Sequence, residues 1–337
     1  MSCHDTLARP LQYLRLSVTD RCNFRCLYCM PKESYRDSDC FFPPEAILSV
    51  EETVRLARIF ADQGVRKIRL TGGGPLLRRD LEWLVEGLAA LDGIDEIAVT
   101  TNGSLLDSER AARLREAGVS RVTVSLDAIQ EAPFRAINDV GYPVSSVLEG
   151  IGAAEAAGLG PVKVNMVVKH GLNHHQILPL ARYFRGTTTI PRFIEYMDVG
   201  NSNGWSRDEV IPADAIRATV DWAWPLVPIA PNHFGEVASR FRYADGAGEV
   251  GIIGSISHPF CRTCDRARLS ARGELYTCLF GAEGHAIRPY LRDATTGDWQ
   301  LAQQIRRVWQ QRNDRYSELR SQGMPTTPKV AMARIGG

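Results

Sequence analysis

Three cysteines, Cys22, Cys26 and Cys29, lie within eight residues of one another in the stretch Val18-Thr19-Asp20-Arg21-Cys22-Asn23-Phe24-Arg25-Cys26-Leu27-Tyr28-Cys29-Met30-Pro31, spaced C-x3-C-x2-C. A loop this short can aim all three thiolates at one metal centre. A structural zinc site takes four ligands. A cube of four irons held by three cysteines keeps one iron free for a further ligand, and an open iron is where chemistry happens. The motif therefore points to an enzyme. Zinc motifs usually come as C-x2-C or C-x4-C pairs, which disfavours a zinc loop here.

A second group follows far down the chain. Cys261, Cys264 and Cys278 are spaced C-x2-C-x13-C, within His258-Pro259-Phe260-Cys261-Arg262-Thr263-Cys264-Asp265-Arg266-Ala267-Arg268 and Tyr276-Thr277-Cys278. Again there are three thiolates and no obvious fourth. His258 or His285 could complete a zinc site. Beside the N-terminal loop, a second three-ligand iron cube is the better reading, its free iron open to a substrate nitrogen or oxygen. Six of the eight cysteines thus fall in two tight groups, which is metal-site usage and not a disulfide framework. Cys3 and Cys40 read as ordinary thiols.

The chain has 337 residues, 44% of them hydrophobic, and a net charge of +1 from 40 Lys+Arg against 39 Asp+Glu. Such balance argues against general nucleic-acid or membrane-surface binding. An anionic ligand must be met by a local basic cluster. The N-terminus lacks an apolar signal core, and no apolar run is long enough to span a membrane. The expected compartment is the cytosol, whose reducing conditions suit iron–sulfur chemistry.

The elements that must position these groups alternate regularly from residue 13 to about residue 223. Tyr13–Val18 reads as a strand running straight into the first cysteine loop. Ser49-Val50-Glu51-Glu52 is a capping box opening a helix to Gln63, ended by Gly64. Strands are expected at Val65–Leu70, Glu96–Thr100, Arg121–Leu126, Val162–Val168 and Ile190–Tyr196. Helices are expected from Asp80 to about Leu91, and at Ser108–Ala117, Ser146–Ala157, His174–Phe184 and Ala213–Trp222. Six strand–helix units argue for a parallel sheet with crossover helices, whose ligands sit at the C-terminal strand ends. Pro225, Pro228 and Pro231 mark an expected boundary, giving regions 1–225 and 226–337. The final stretch, Met324–Gly337, has little periodicity and reads on its own as a frayed tail.

The first cysteine loop resembles the signature of the radical S-adenosylmethionine enzymes, and the whole chain resembles one family among them, the GTP 3′,8-cyclases of molybdenum cofactor biosynthesis. The residues that carry the likeness are Leu14 through Cys22, Leu70-Thr71-Gly72-Gly73, Thr100-Thr101-Asn102-Gly103 and Val124-Ser125-Leu126-Asp127. They continue with Lys163-Val164-Asn165-Met166-Val167, Glu195-Tyr196-Met197-Asp198, Phe260 through Arg268, and the closing Gly336-Gly337. The fold this implies is α/β, a partial (incomplete) (β/α)6 TIM-type barrel with a smaller C-terminal cluster-binding region.

The resemblance also implies roles. Cys22, Cys26 and Cys29 hold a radical-generating [4Fe-4S] cluster, and Cys261, Cys264 and Cys278 a second one beside the substrate purine. Tyr28, Gly73, Ser125 and Met197 line the S-adenosylmethionine site. Arg15, Arg69, Thr100, Lys163, Arg266, Ala267 and Arg268 meet GTP, arginine forks suiting its phosphate oxygens. Arg266 and Arg268 also act as catalytic groups, stabilising the radical intermediate or its reduction. Arg15 and Arg69 stand out without the likeness, because an unpaired charge in an apolar strand is expensive. The implied reaction removes the ribose C3′ hydrogen and joins C3′ to guanine C8. An external electron donor and a downstream cyclic pyranopterin monophosphate synthase are the implied partners, with a homodimer left open. The tail is expected to enter the active site, since two glycines can thread where a Cβ would clash.

One departure matters. The family pattern after Leu70 runs Thr-Gly-Gly-Glu-Pro, whereas this chain has Thr71-Gly72-Gly73-Gly74-Pro75. The missing carboxylate ordinarily helps to hold the amino group of S-adenosylmethionine, and losing such a charge-assisted hydrogen bond costs about 1.5–3 kcal/mol. The alternatives are a peptide-modifying radical S-adenosylmethionine enzyme with an auxiliary cluster, and a non-catalytic metal-binding paralogue weakened by Gly74. Arg266, Arg268 and the diglycine end weigh against the first.

Overall fold

The computed structural model describes residues 3–36, 40–200, 203–320 and 329–336. Its first part alternates as β1 (Tyr13–Ser17), α1 (Val50–Asp62), β2 (Lys67–Thr71), α2 (Leu81–Ala89), β3 (Glu96–Thr101), α3 (Ser108–Ala117), β4 (Arg121–Ser125), α4 (Glu131–Asn138), α5 (Val144–Ala156), β5 (Lys163–Val168), α6 (Ile177–Phe184), β6 (Ile190–Glu195) and α7 (Ala213–Ala223). The second part holds β7 (Leu226–Ile229), β8 (Ser239–Tyr243), β9 (Glu249–Ile253), β10 (Arg266–Leu269), β11 (Glu274–Tyr276) and β12 (His285–Ala286). It ends with α8 (Arg288–Arg292), α9 (Asp298–Gln310), α10 (Tyr316–Leu319) and α11 (Met332–Ile335).

All strands join one sheet, ordered β12-β11-β10-β1-β2-β3-β4-β5-β6-β9-β8-β7. The six strands β1 to β6 run parallel, as the alternation predicts. The late strands β10 and β9 add in parallel to β1 and to β6, and antiparallel strands extend each side. The result is an α/β sheet of the partial TIM-type barrel kind with a C-terminal addition. Residues beyond 225 therefore extend both edges of the sheet that residues before 225 began. Helix α4, absent from the sequence expectation, fills the β4–β5 connection.

The two faces of the strands differ in chemistry. Leu14, Leu16, Ile68, Leu70, Val99, Val122, Val124, Val164 and Met166 are fully buried or nearly so, and form one core with the covering helices. The residues between them point to the other face. They include Tyr13, Arg15, Arg69, Thr100, Ser125, Lys163, Asn165 and Arg192, which line a cavity. Side chains alternate along a strand, so one apolar period packs the helices while its polar complement builds a site.

Local signals explain the helix ends. Ser49 Oγ accepts from the Glu52 N–H at 3.1 Å and Glu52 Oε2 accepts from the Ser49 N–H at 2.9 Å, the reciprocal box that starts α1. Gly64 takes φ of +115° just after α1. Asp80 precedes α2, but its carboxylate pairs with Arg78 at 2.8 Å and makes no cap bond. Helix α9 buries Leu301, Ile305 and Trp309, one face at a spacing of four. It lies on α1, where Asp298 pairs with Arg55 at 2.7 Å and Arg58 at 2.5 Å. Among the described residues no helix is long and apolar enough to cross a membrane.

Candidate active site

The loop after β1 is fixed by backbone bonds. Val18 N–H donates to Thr71 O at 3.0 Å, Gly73 N–H to Thr19 O at 2.9 Å and Gly74 N–H to Arg21 O at 2.7 Å, tying the loop to the end of β2. Arg25 and Leu27 donate to Asn138 and Ile137 at the end of α4. Phe24 packs between Phe134 and Tyr142, with ring centroids 6.2 and 5.3 Å away. Gly73 is needed for this approach, since a Cβ there would lie 2.3 Å from Arg21 O. Gly74 is not needed in that sense. A Cβ on it would meet Leu77 Cδ1 at 3.5 Å and Asn23 Oδ1 at 3.6 Å, ordinary contacts.

Cys22 and Cys29 are near enough to Cys26, and Cys22 to Cys29, to raise their pKa. Burial first, then Asp127 and the neighbouring thiols, push Cys26 well above its usual value, and burial and Cys22 push Cys29 up to about 12. Cys22 Sγ also accepts from the Phe24 N–H at 3.4 Å and Asn102 Nδ2 at 3.9 Å. Three half-buried thiols of this kind want a cationic core, which would reverse these shifts. A single tetrahedral ion needs thiolates about 3.8 Å apart, and a four-iron cube holds them wider. Three thiols on one short loop are the donor set that a four-iron cluster takes.

From this loop a cavity of roughly 1640 Å³, its open mouth included, runs down the inner face of the sheet. Tyr28, Ser125 and Met197 line its upper part, and Cys261, Cys264 and Cys278 line one wall. Arg15, Arg69, Thr100, Lys163, Arg266 and Arg268 line the rest. The predicted residues are thus gathered in one space except for five. Cys22, Cys26, Cys29 and Gly73 do not line it, and the Ala267 side chain is fully buried in the hydrophobic core, leaving only its main chain for a ligand. His258, bonded to Asp214 at 3.0 Å, and His285, exposed on β12, do not line the cavity.

The basic side chains follow from register. Arg15 on β1 is the direct partner of Arg69 on β2 and of Arg268 on β10, so three arginines form one row across three strands. Arg69 Nη1 donates to Thr100 Oγ1 at 3.0 Å and Thr123 Oγ1 at 2.9 Å. Burial, with Arg69 and Arg266 nearby, pulls Arg15 down to about 10. Burial and Arg69 bring Arg192 to about 9, and burial and Arg192 bring Lys163 to about 7. Among the described residues no carboxylate forms an ion pair with Arg15, Arg69, Lys163, Arg192, Arg266 or Arg268. Arg15 Nε and Arg266 Nε are buried without a partner. Cations crowded this closely, without ion-paired carboxylates, make a site for a polyanion.

At the second thiol group, Arg312 Nη2 donates to Cys264 Sγ at 3.1 Å. Burial alone would raise Cys264, but Arg266 and Arg312 bring it down to about 6, whereas burial and Asp314 push Cys278 up to about 12. Arg9 Nη2, also on the cavity wall, is a buried donor with no partner. These donors and thiols suit a negatively charged iron–sulfur group.

The tail is docked and not frayed. Ala333 and Ile335 are 2% and 0% exposed. The Gly336 carbonyl accepts from Arg268 and, at 3.5 Å, from Arg15 Nη1. Gly336 has φ of +73°, and a Cβ on it would strike Thr71 Oγ1 at 2.0 Å. Arg334 donates to Cys40 O at 3.1 Å, and Met332 lines the cavity. Gly337 and residues 321–328 lie outside the described residues.

Sequence reasoning missed Arg192, Tyr13, Asn165 and Asp127, all on the cavity wall. Arg192 carries the signal that Arg15 and Arg69 carry, a lone arginine in an apolar strand. Asp127 was quoted only as part of a motif. It accepts from Tyr28 OH at 2.7 Å and the Val167 N–H at 2.9 Å, and burial raises it to about 6.

The Radical SAM superfamily model matches residues 16–184, and the Molybdenum Cofactor Synthesis C model matches residues 190–318. A GTP 3′,8-cyclase of Acidothermus cellulolyticus is 52% identical over 94% of this chain and 88% of its own length. The enzyme of the same name from Xanthomonas axonopodis pv. citri is 48% identical over 99% of this chain and 98% of its own. One from Staphylococcus aureus is 44% identical, again over 99% and 98%. Among solved structures, Streptococcus suis SuiB bound to S-adenosylmethionine superposes with a TM-score of 0.63 at 15% identity, over 88% of this chain and 68% of that one, a likeness of fold.

Proposed function

The chain belongs to the GTP 3′,8-cyclase family of radical S-adenosylmethionine enzymes, and on that premise we propose how its cavity divides the work. Its activity is the cyclisation of GTP in molybdenum cofactor biosynthesis. A four-iron cluster and S-adenosylmethionine, the equipment of its superfamily, supply when bound the radical chemistry that takes the ribose C3′ hydrogen and lets C3′ bond to C8.

The protein's own part is holding and positioning. Cys22, Cys26 and Cys29 carry the radical-generating cluster, with Tyr28, Ser125 and Met197 around S-adenosylmethionine and Gly73 bringing the β2 loop up beneath it. Cys261, Cys264 and Cys278 carry a second four-iron cluster beside the purine. Arg15, Arg69, Lys163 and Arg268 hold the triphosphate with Thr100, and Arg192 joins them. Arg266, lying over the Phe260 ring with its guanidinium 5.0 Å from the centroid, shares the cavity wall with the second thiol group. Residues 1–225 then serve the cofactor and residues 226–337 the second cluster, a division of labour within one sheet. The grouped thiols favour work in the reducing cytoplasm.

The observation that carries this reading is the row Arg268–Arg15–Arg69, cations set side by side without a carboxylate, on the same cavity as the second thiol group. Fixing both ends of the nucleotide turns a collision of C3′ and C8 into a positioned approach. The test is anaerobic incubation with dithionite, S-adenosylmethionine and GTP deuterated at C3′. The expected products are deuterated 5′-deoxyadenosine and a compound isomeric with GTP. Cleavage of S-adenosylmethionine without deuterium transfer would overturn the substrate assignment.

A further inference from the structure

The second thiol loop is gripped from behind by two buried arginines that the reaction itself does not use. Arg9 and Arg312 have side chains only 1% exposed. Arg9 Nη1 donates to Cys261 O at 2.8 Å and Asp314 O at 2.8 Å. Arg312 Nη1 donates to Cys264 O at 2.6 Å, and its Nη2 to Cys264 Sγ at 3.1 Å. Asp5, fully buried, pairs with both, at 2.6 Å to Arg9 Nε and 3.4 Å to Arg312 Nη1. Trp309 closes the assembly, its ring 4.5 Å from the Arg312 guanidinium and its Nε1 donating to Arg9 O at 3.2 Å.

Three segments far apart in sequence therefore meet behind Cys261 and Cys264: residues 5–9, the thiol loop, and residues 309–314. Packing alone does not call for this. Burying two guanidinium groups around one carboxylate leaves an excess positive charge, which is costly unless a negative group lies close by. Asp314 offers only partial relief, with its Oδ2 3.5 Å from Arg312 Nε and its side chain 32% exposed. Arg9, whose buried Nη2 has no partner, lines the same cavity as the three thiols. Three thiolates around a four-iron core carry net negative charge, and they stand where the excess positive charge needs them.

We infer that Arg312, with Arg9 and Asp5, is a positioning and redox-tuning assembly for the second cluster, with Arg312 raising its reduction potential through the Cys264 thiolate. Reduction adds negative charge to a cluster, so a cation and an N–H···S bond at one ligand favour the reduced form. Asp5 opposes this by cancelling part of the positive charge. The two residues thus act with opposite signs through one contact. This inference rests on the two-cluster reading.

The experiment uses the full chain, reconstituted with iron and sulfide, in a Cys22→Ala/Cys26→Ala/Cys29→Ala background that leaves only the second group. Potentiometric titration followed by EPR is read for that protein and for Arg312→Gln and Asp5→Asn made in it. The expected result is a more negative potential and altered EPR line shape for Arg312→Gln, and a more positive potential for Asp5→Asn, at unchanged iron content. Unchanged potentials, or shifts of the same sign in both variants, overturn the inference. Where Arg312→Gln does not retain iron, Asp5→Asn decides alone, and the absence of a positive shift overturns it. A background protein that takes up no four-iron cluster removes the two-cluster reading and this inference with it, and iron analysis identifies that outcome before any potential is measured.

Discussion

Arg15 and Arg268 are direct neighbours on parallel strands β1 and β10, and both donate to one acceptor, the main-chain carbonyl of Gly336. A carbonyl dipole only partly compensates two buried cations. The row they share with Arg69 therefore has a strong remaining affinity for anionic oxygen, and the tail lies against the same guanidinium groups that a triphosphate needs.

Replacing Arg15 or Arg268 with alanine should weaken GTP binding by about 1.5–3 kcal/mol each, the range for a hydrogen bond to a charged group, or roughly 10- to 150-fold. Anaerobic calorimetry measures it. Arg268→Lys keeps the charge but loses the fork, and should recover only part of the affinity. GTP affinity within twofold of wild type in the alanine variants would remove the row from the substrate site.

Gly74→Glu should strengthen S-adenosylmethionine binding, tenfold for each 1.4 kcal/mol gained. The position has room, and its φ of −125° is ordinary for any L-residue, so no backbone strain opposes the change. Calorimetry on both forms decides it. Equal affinities would mean that Asn23, Asn102 or main-chain groups already hold the cofactor's amino end.

Gly336→Ala should greatly reduce cyclisation while leaving cluster content and folding intact. Its φ of +73° strains a residue with a Cβ by about 1–3 kcal/mol, and the Thr71 clash adds to that. Deleting Gly336 and Gly337 together should act in the same direction. Arg334→Ala should do so more weakly, by loosening the anchor to Cys40. Product formed per cluster-loaded enzyme, under identical reductant, is the measurement, and normal turnover in the truncated protein would return the tail to a passive end.

GTP binding should take up a proton through Lys163. Burial and the neighbouring Arg192 hold its pKa down to about 7, so at pH 8 it is mostly neutral, and an arriving triphosphate raises the pKa and draws in a proton. Affinity should accordingly rise as pH falls from 8 towards 6. Calorimetry in two buffers of different ionisation heat gives the proton count, and Lys163→Met should lower it. An identical count in the variant would assign the uptake elsewhere.

Reconstituted protein should saturate at about eight irons and eight sulfides per chain, in line with two cubes of four. Alanine at Cys261, Cys264 and Cys278 should halve that number without unfolding the sheet. Saturation at four irons with one tightly held zinc would give the second group to zinc.

How much of this was legible in the chain depends on how local each cause is. The two thiol spacings, the Ser49–Glu52 capping box and the six alternating units are written within a few residues of one another, because hydrogen bonds along a helix and side-chain alternation along a strand have short periods. Arg15 and Arg69 could be singled out in the same way, as charges inside apolar strands. Arg192 carries that signal too. The pairing of β10 with β1 is another matter. It joins residue 15 to residue 268, and nothing in either segment encodes the partner or the register. Parallel partners are selected by the closure of the whole sheet and the packing of its helices, and that closure alone puts Arg268 beside Arg15. The same holds for the tail and for Asp5, Arg9 and Arg312. Local pattern leaves the tail without structure and the N-terminal segment without a role. Their roles come from burying Ile335 and Trp309 against distant strands and helices, which brings a glycine carbonyl to the arginine row and two guanidinium groups to the back of the second thiol loop.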